Sequence, residues 1–237
     1  MSREGKKYLT ELVESVVYIP NVFRIMCGDG KYIFFIHSSD QETMDYFAVS
    51  AIYDTICSID TSIKHAFFEI ISIDLPESLK DYDPFSALTN REKIALYHTE
   101  NIVFRVSILW DLLAQLCNVI YRTEVMPDKV HYKRYFNNHA QGDKSFILAK
   151  EINAYLDEKE DTEADVNPWP GNHAFLTDYR NQMMHRISPN ISSVTMLGTT
   201  LRPPTLYVLH RVIEDYHKVS AYLCRLINQY LEDHKDW

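Results

Sequence analysis

Three long stretches of the chain carry apolar residues in alternating steps of three and four, the spacing at which side chains share one face of an α-helix. They cover residues 40–74, 90–121 and 204–233. The stripes are Ala48, Ile52, Ile56, Ile59, Ile63, Ala66 and Ile70; then Ile102, Val106, Leu109, Leu113, Leu116 and Ile120; then Leu209, Val212, Tyr216, Val219, Leu223, Leu226 and Tyr230. Each stretch predicts one long helix with a buried face.

Local signals mark where helices begin. Ser39–Glu42 and Thr89–Glu92 match the capping box, in which a hydroxyl residue and a glutamate three positions later satisfy each other's exposed amides. Pro127 suits the first turn of a short helix, and Asp143 can cap the helix that follows it. Residues 3–17 predict a short amphipathic helix at the N-terminus.

The segment after Pro20 has a different pattern. Val22–Met26 and Lys31–Ile36 are rich in β-branched and aromatic residues, and Gly28 and Gly30 between them allow a tight turn. We therefore expect a small β-hairpin. The whole pattern predicts an all-α, antiparallel helical bundle of about five to seven helices with this N-terminal hairpin as an addition.

The chain is expected to form a single domain over residues 1–237, because its length suits one substantial core. Residues 1–38 would hold the first helix and the hairpin. An acidic run followed by two prolines predicts a loop over residues 157–171. Residues 189–203 are rich in serine and threonine and predict another connection.

Charge and composition limit the class of function. The formal net charge is −9, which is unfavourable for broad nucleic-acid binding. Residues 122–150 form a local basic patch of six lysines and arginines against three acids, although such a stretch is more often an ordinary solvated face. Without a secretory leader pattern or an apolar run of about 20 residues, we expect a cytoplasmic protein with no membrane partner.

The stretch Asn172–Pro189 carries the most specific candidate chemistry. On a helical wheel its core face comprises Leu176, Tyr179, Met183 and Ile187. Arg180 falls on the flank of that face, while Asn181 and His185 point away from it. A histidine can transfer protons near neutral pH, and an arginine binds phosphate through two parallel hydrogen bonds. An asparagine one turn from the histidine can orient its ring or hold a substrate oxygen. Together they suit metal-independent attack of an RNA 2′-hydroxyl on the neighbouring phosphate.

The segment Arg180-Asn181-Gln182-Met183-Met184-His185 resembles the R-N-x3-H motif of the HEPN superfamily of all-helical, nucleotide-binding domains. The resemblance implies catalytic roles for Arg180 and His185, with Asn181 supporting them, and requires neither a metal nor another cofactor. Many members are endoribonucleases whose motifs meet across a homodimer interface, so RNA and a second copy of the chain are the implied partners. Other members are non-catalytic modules that bind a nucleotide or a protein, and this alternative stays open.

The arginine–histidine spacing by itself is common in this chain. It also occurs at Arg91/His98, Arg134/His139 and Arg211/His217, but only Arg180 is followed directly by asparagine. The asparagine and the late position on an amphipathic helix therefore carry the resemblance.

Two further polar sets could carry a function. His210, Glu214 and His217 on the last helix have a spacing that could ligate a metal, although such spacing is also usual on a solvated face. Asp111, Gln115 and Asn118 could either support Arg180 or face solvent, and the sequence favours neither alternative.

Overall fold

The computed structural model describes residues 3–20, 22–23, 26–27, 31–32, 40–73, 75, 82–141, 146–158, 171–185, 188–195 and 198–234, with the backbone alone at residues 26–27, 31–32, 185 and 195. Seven α-helices lie within these ranges: α1 (Arg3–Ser15), α2 (Gln41–Ser72), α3 (Asn90–Ile120), α4 (Tyr132–Gln141), α5 (Ile147–Leu156), α6 (Asn172–His185) and α7 (Thr205–Asp233). The predicted all-α bundle is confirmed, although α3 and α7 run parallel where antiparallel packing was expected.

Helix α3 forms the centre of the bundle and packs against both α2 and α7. Glu42, near the start of α2, lines one cavity together with Tyr121 after the end of α3 and Tyr230 near the end of α7. Helix α2 therefore runs antiparallel to its two neighbours, while α3 and α7 run in the same direction. Halfway along, Trp110 of α3 donates a hydrogen bond to Asp215 of α7.

The apolar stripes predicted for α3 and α7 form the core. All seven stripe residues of α7 are buried, and all six of α3 except Ile120, which is half-buried. The periodicity identified the inner face of both helices correctly, because almost every residue on that face is apolar.

Helix α2 departs from its predicted stripe in the first half. Ala48, Ile52 and Ile59 are only half-buried, while Tyr53 and Asp60 are buried. The Tyr53 hydroxyl both donates to and accepts from the backbone of Ile19, at 3.1 and 3.0 Å. Asp60 accepts hydrogen bonds from Lys64, at 2.8 Å, and from Tyr216. These partners allow polar groups into the core, which a count of apolar residues does not anticipate.

Three of the predicted helix starts differ from the structure. The capping box at Thr89 and Glu92 is confirmed, with both reciprocal hydrogen bonds present. At α2, however, the capping residue is Asp40, whose carboxylate accepts from the Thr43 amide at 3.0 Å. Helix α2 therefore begins one residue later than predicted, and Ser39 lies outside the described residues. Phe146 precedes α5 without a side-chain cap, so the cap expected from Asp143, also outside the described residues, was wrong.

Pro127 opens only a short 3-10 turn, Pro127–Lys129, and α4 begins five residues after it.

Two short hairpins accompany the helices. Strands β1 (Met26–Cys27) and β2 (Lys31–Tyr32) pair antiparallel, which confirms the N-terminal hairpin; the rest of the predicted strands is either not in a strand or outside the described residues. Strands β3 (Ser193–Thr195) and β4 (Gly198–Thr200) form a second hairpin where a simple connection was expected. Gly198 has a φ of +143°, which few other residues tolerate. Of the predicted acidic loop, residues 159–170 lie outside the description.

Helix α3 also has the length and composition of a membrane-crossing helix. Its most apolar 18-residue window has a mean hydropathy of 1.5. We expected no apolar run of membrane-spanning length, but α3 is long and apolar enough to be one. More than half of that window, 56%, is buried among the other helices of the bundle.

A half-buried carboxylate joins α1, α6 and α7. Glu214 accepts hydrogen bonds from Tyr8 at 3.0 Å, from His210 at 3.0 Å and from the Asn172 amide at 2.8 Å. The Tyr8 ring stacks on His210 with 5.6 Å between the ring centroids. Burial raises the pKa of Glu214, but the bonds from His210 and Asn172 outweigh it and hold this pKa at about 2. Glu214 thus anchors the first residue of α6.

This depressed pKa predicts acid-sensitive stability. Because the folded-state pKa lies below the ordinary value of 4.5, the ionised Glu214 stabilises the fold fully above about pH 5, and the contribution is lost as pH falls toward 2. We expect Glu214→Gln to lower the free energy of unfolding by up to about 3 kcal/mol near pH 6 and by much less near pH 2.5. Urea unfolding across this pH range measures the difference.

Glu11→Gln is the matched control, because in the described part of the chain Glu11 forms an exposed ion pair with Lys7, at 3.7 Å. Its unfolding curve should stay close to that of the wild type throughout. A difference between wild type and Glu214→Gln that does not change with pH would contradict the role assigned to Glu214.

Candidate functional site

Helix α6 is oriented by its buried face, as the helical wheel predicted. Leu176 and Tyr179 are buried, and Met183 packs against the core from its edge. Arg180 is consequently half-buried at the rim, and Asn181 is exposed. His185 is the last residue of the helix; its side chain lies outside the described part of the chain, as does Ile187.

Arg180 lies where α3, α4 and α6 meet. Its guanidinium donates a hydrogen bond to Asn181 Oδ1 at 3.1 Å. Its charge acts on Asp111 of α3 and on Tyr132 and Lys133 of α4. We call these five residues, Asp111, Tyr132, Lys133, Arg180 and Asn181, the arginine cluster.

Two cations of the arginine cluster, Arg180 and Lys133, repel each other. Desolvation lowers the pKa of Lys133, and repulsion by the Arg180 charge lowers it further. Burial raises the pKa of Asp111, opposed by a hydrogen bond from the Tyr132 amide and by the charge of Arg180. Asp157 and Asp215 also act on Lys133 and raise its pKa. A phosphate bound between Arg180 and Lys133 would reduce the repulsion between these two cations. Lys133 belongs to the basic patch predicted over residues 122–150, and Arg180 extends that patch onto α6.

A buried polar network lies directly beneath the arginine cluster. The Tyr132 hydroxyl is 2.9 Å from His173 Nε2, and His173 Nδ1 is 3.4 Å from Asp215 Oδ2. The same carboxylate accepts hydrogen bonds from Trp110 Nε1 at 2.9 Å and from the Tyr155 hydroxyl at 2.8 Å. The network draws one side chain from each of α3, α4, α5, α6 and α7.

The buried network holds the helices of the arginine cluster in place, but Asp215 and His173 are not accessible to a ligand. Asp215 and His173 are only 1% and 3% exposed, so a substrate cannot reach them in this conformation. Burial raises the pKa of Tyr132 to about 12, which keeps its hydroxyl protonated at neutral pH. Tyr132 therefore links the buried network to the start of α4, where Lys133 stands.

Sequence reasoning did not single out His173 or Asp215. A signal was present for Asp215, because it lies three residues after Val212 and four before Val219 and so occupies a core position of α7. An acid at such a position predicts buried hydrogen-bond donors on a neighbouring helix. For His173, at the second position of α6, we find no comparable signal.

The polar set Asp111, Gln115 and Asn118 is divided by the structure. Asp111 supports Arg180 through its charge. Gln115 instead donates to the Pro127 carbonyl at 2.8 Å, and the Asn118 amide donates to the Val125 carbonyl at 2.8 Å. Gln115 and Asn118 therefore fix the connection between α3 and α4. Of the three residues, Asp111 is the one that supports Arg180, as one of the two open alternatives proposed.

The remaining candidates have structural partners. His210 is hydrogen-bonded to Glu214, and nowhere in the described ranges do three or more His, Cys, Asp or Glu side chains form a metal-binding group. Among the other arginine–histidine pairs, Arg211 is buried with its guanidinium over the Phe175 ring at 5.5 Å. His139 bonds the Tyr135 carbonyl at 2.8 Å. These contacts account for Arg211 and His139 as structural residues.

No protein-family model, curated protein or solved structure matches the chain. The HEPN resemblance therefore stays a prediction that rests on the motif of α6.

Removing the buried carboxylate is predicted to destabilise the bundle strongly. Asp215→Ala leaves the donors of Trp110, Tyr155 and His173 without their acceptor, and we expect a loss of about 3–5 kcal/mol in the free energy of unfolding. Asp215→Asn keeps one acceptor oxygen and should lose less. Urea denaturation measures both changes.

Asp178→Ala is the control, because Asp178 is exposed on α6 and, within the described ranges, its carboxylate accepts a hydrogen bond from Gln182 of the same helix, at 2.6 Å. It should change stability by less than about 1 kcal/mol. An equally small loss for Asp215→Ala would show that the network is not what fixes these helices.

Proposed function

We propose that this protein is a HEPN-like, metal-independent endoribonuclease that acts as a homodimer. The proposal rests above all on one observation: the half-buried Arg180, on the helix that carries the R-N-x3-H motif, lies beside Lys133 with Asp111 as the neighbouring acid. The other three arginine–histidine pairs of the chain do not have this combination of asparagine, neighbouring cation and rim position.

The arginine cluster would bind the phosphodiester. The planar guanidinium of Arg180 matches two phosphate oxygens, and the Lys133 ammonium supplies a second, more flexible positive charge. Asn181 Oδ1 accepts from Arg180 and so limits the orientations of the guanidinium. Because the whole chain is acidic, with a formal net charge of −9, binding would be confined to this patch and selective.

The reaction needs a proton acceptor and a proton donor. His185 would remove the proton of the RNA 2′-hydroxyl, whose oxygen attacks the adjacent phosphorus while the bond to the 5′-oxygen breaks. The products are a 2′,3′-cyclic phosphate and a 5′-hydroxyl that receives a proton. Arg180 would stabilise the negative charge that develops on the phosphoryl oxygens. Each chain brings one motif histidine, so two copies would supply both acid and base.

Apolar side chains beside the arginine cluster support a second copy as partner. Ile108 lies one turn from Asp111 on α3 and is 45% exposed, while Met184 lies one turn from Arg180 on α6 and is 57% exposed. A symmetric dimer would bury such side chains against their counterparts and bring the two α6 helices together.

A non-catalytic nucleotide-binding or protein-interaction module of the same fold is the second candidate. The cation pair of Arg180 and Lys133 favours it specifically, because these two groups can hold a phosphate without any contribution from His185. The two functions differ in what His185 does: cleavage requires it, whereas phosphate binding does not.

Incubation with RNA in EDTA tests the nuclease directly. We expect the wild type to cleave, and Arg180→Ala and His185→Ala each to lose at least about 100-fold in rate. Replacing the 2′-hydroxyl at the cleaved position with hydrogen should abolish the reaction, and the products should carry cyclic phosphate ends. Arg91→Ala with His98→Ala is the matched control, because this pair begins about 30 Å from Asp111 along α3 and should cleave normally.

Equal cleavage by the wild type, both site variants and the control would point to a contaminating nuclease and overturn the assignment. Failure of the wild type to cleave any RNA would also overturn it. Nucleotide binding that persists in His185→Ala but is lost in Arg180→Ala, without cleavage, would favour the binding module.

A further inference from the structure

The connection between α3 and α4 runs back along α3 in a fixed register. Asn118 Nδ2 donates to the Val125 carbonyl and Gln115 Nε2 donates to the Pro127 carbonyl, both at 2.8 Å. Asp111 lies one turn before Gln115 on the same face of α3, because side chains four positions apart in a helix share a face. The next residues of the connection, up to the start of α4, therefore lie opposite Asp111.

Tyr132, the first residue of α4, ends this connection against the core. Its ring centroid is 6.2 Å from that of Trp110, the neighbour of Asp111 on α3. Its hydroxyl is 2.9 Å from His173 Nε2 of α6. His131 directly precedes Tyr132 in the chain and is exposed. The hydrogen bonds and ring contacts of the connection thus place His131 at the surface beside Asp111.

The electrostatics of Asp111 agree with this position. Burial raises the pKa of Asp111, whereas a hydrogen bond from the Tyr132 amide and the charges of Arg180 and His131 oppose that rise. The same carboxylate is therefore within electrostatic reach of both cationic side chains. His131 accordingly stands next to the arginine cluster as a second histidine of the chain, separate from the one in the R-N-x3-H motif.

On α6, the contact with Tyr132 and the motif histidine lie on opposite sides of Arg180. The Tyr132 hydroxyl is 3.5 Å from Thr177 Oγ1, three residues before Arg180. His185 follows Arg180 by five residues, or about 7.5 Å along the helix. A phosphate held by Arg180 would thus have the start of α4, with His131, on one side and His185 on the other. Displacement at phosphorus needs the attacking and leaving oxygens in line, with the proton acceptor and the proton donor at opposite ends.

We propose that His131 is the proton donor of the cleavage reaction. Its imidazolium would give a proton to the 5′-oxygen as the bond between phosphorus and that oxygen breaks and the bonding electron pair moves to the oxygen. His185 would hold the proton taken from the 2′-hydroxyl, and exchange with water would then restore both histidines. Acid and base would come from one chain, so the dimer would not depend on the partner's His185 for the acid. This assignment rests on the proposed nuclease activity.

Two RNA substrates of one sequence test the assignment, one natural and one with sulfur in place of the 5′-oxygen at the cleaved position. A thiolate is a better leaving group than an alkoxide and departs without a proton. We expect His131→Ala to cleave the natural RNA at least about 100-fold more slowly than the wild type, but the sulfur-containing RNA within about threefold of the wild-type rate. His185→Ala should stay slow on both substrates, because it lacks the base.

His65→Ala is the matched control, because His65 is exposed like His131 but lies on α2, and it should cleave both RNAs like the wild type. Unchanged cleavage of the natural RNA by His131→Ala would overturn the assignment and leave the nuclease intact. An equal loss on both substrates would overturn it too, since it would assign His131 to binding or folding. Failure of the wild type to cleave either RNA would overturn the nuclease and, with it, the role of His131.

Discussion

The buried carboxylate of Asp215 is the interaction on which the arrangement of the bundle most depends. A charge that is only 1% exposed is tolerated only when its oxygens are fully hydrogen-bonded. Trp110, Tyr155 and His173 meet this need from α3, α5 and α6, and Tyr132 of α4 joins them through His173. Apolar packing alone would permit many rotations of these short helices, whereas directional bonds to one point permit few.

This network determines the geometry of the candidate site. The partners of Asp215 fix α4 and α6 relative to α3, and the positions of Lys133 and Arg180 follow from those helices. Asn172, at the start of α6, is held separately by Glu214. Two buried or half-buried carboxylates of α7, adjacent in sequence and bonded to different partners, thus orient the helix that carries the R-N-x3-H motif.

Whether the buried face of a helix could be predicted from the sequence depends on whether that face is apolar or carries buried polar side chains. The inner faces of α3 and α7 are almost wholly apolar, so periodicity identified them, and the same argument placed Arg180 at the rim and Asn181 outside. It failed where polar side chains are buried, at Tyr53 and Asp60 of α2, and it did not single out Asp215. Their burial depends on partners about 30 to 160 residues away in sequence, such as Tyr216 for Asp60. A local pattern can mark a core position, as it does for Asp215, but it does not identify these distant partners.

The central claim is that Arg180 and Lys133 form one phosphate-binding site on α6 and α4. The most direct measurement is the affinity of a short, fully 2′-deoxy-substituted RNA analogue for the wild type, Arg180→Ala and Lys133→Ala at several salt concentrations. The account predicts weaker binding by both variants and, for each lost phosphate contact, a salt dependence lower by about 0.7 in the slope of log affinity against log salt. Affinities and slopes that are the same for all three proteins would contradict it.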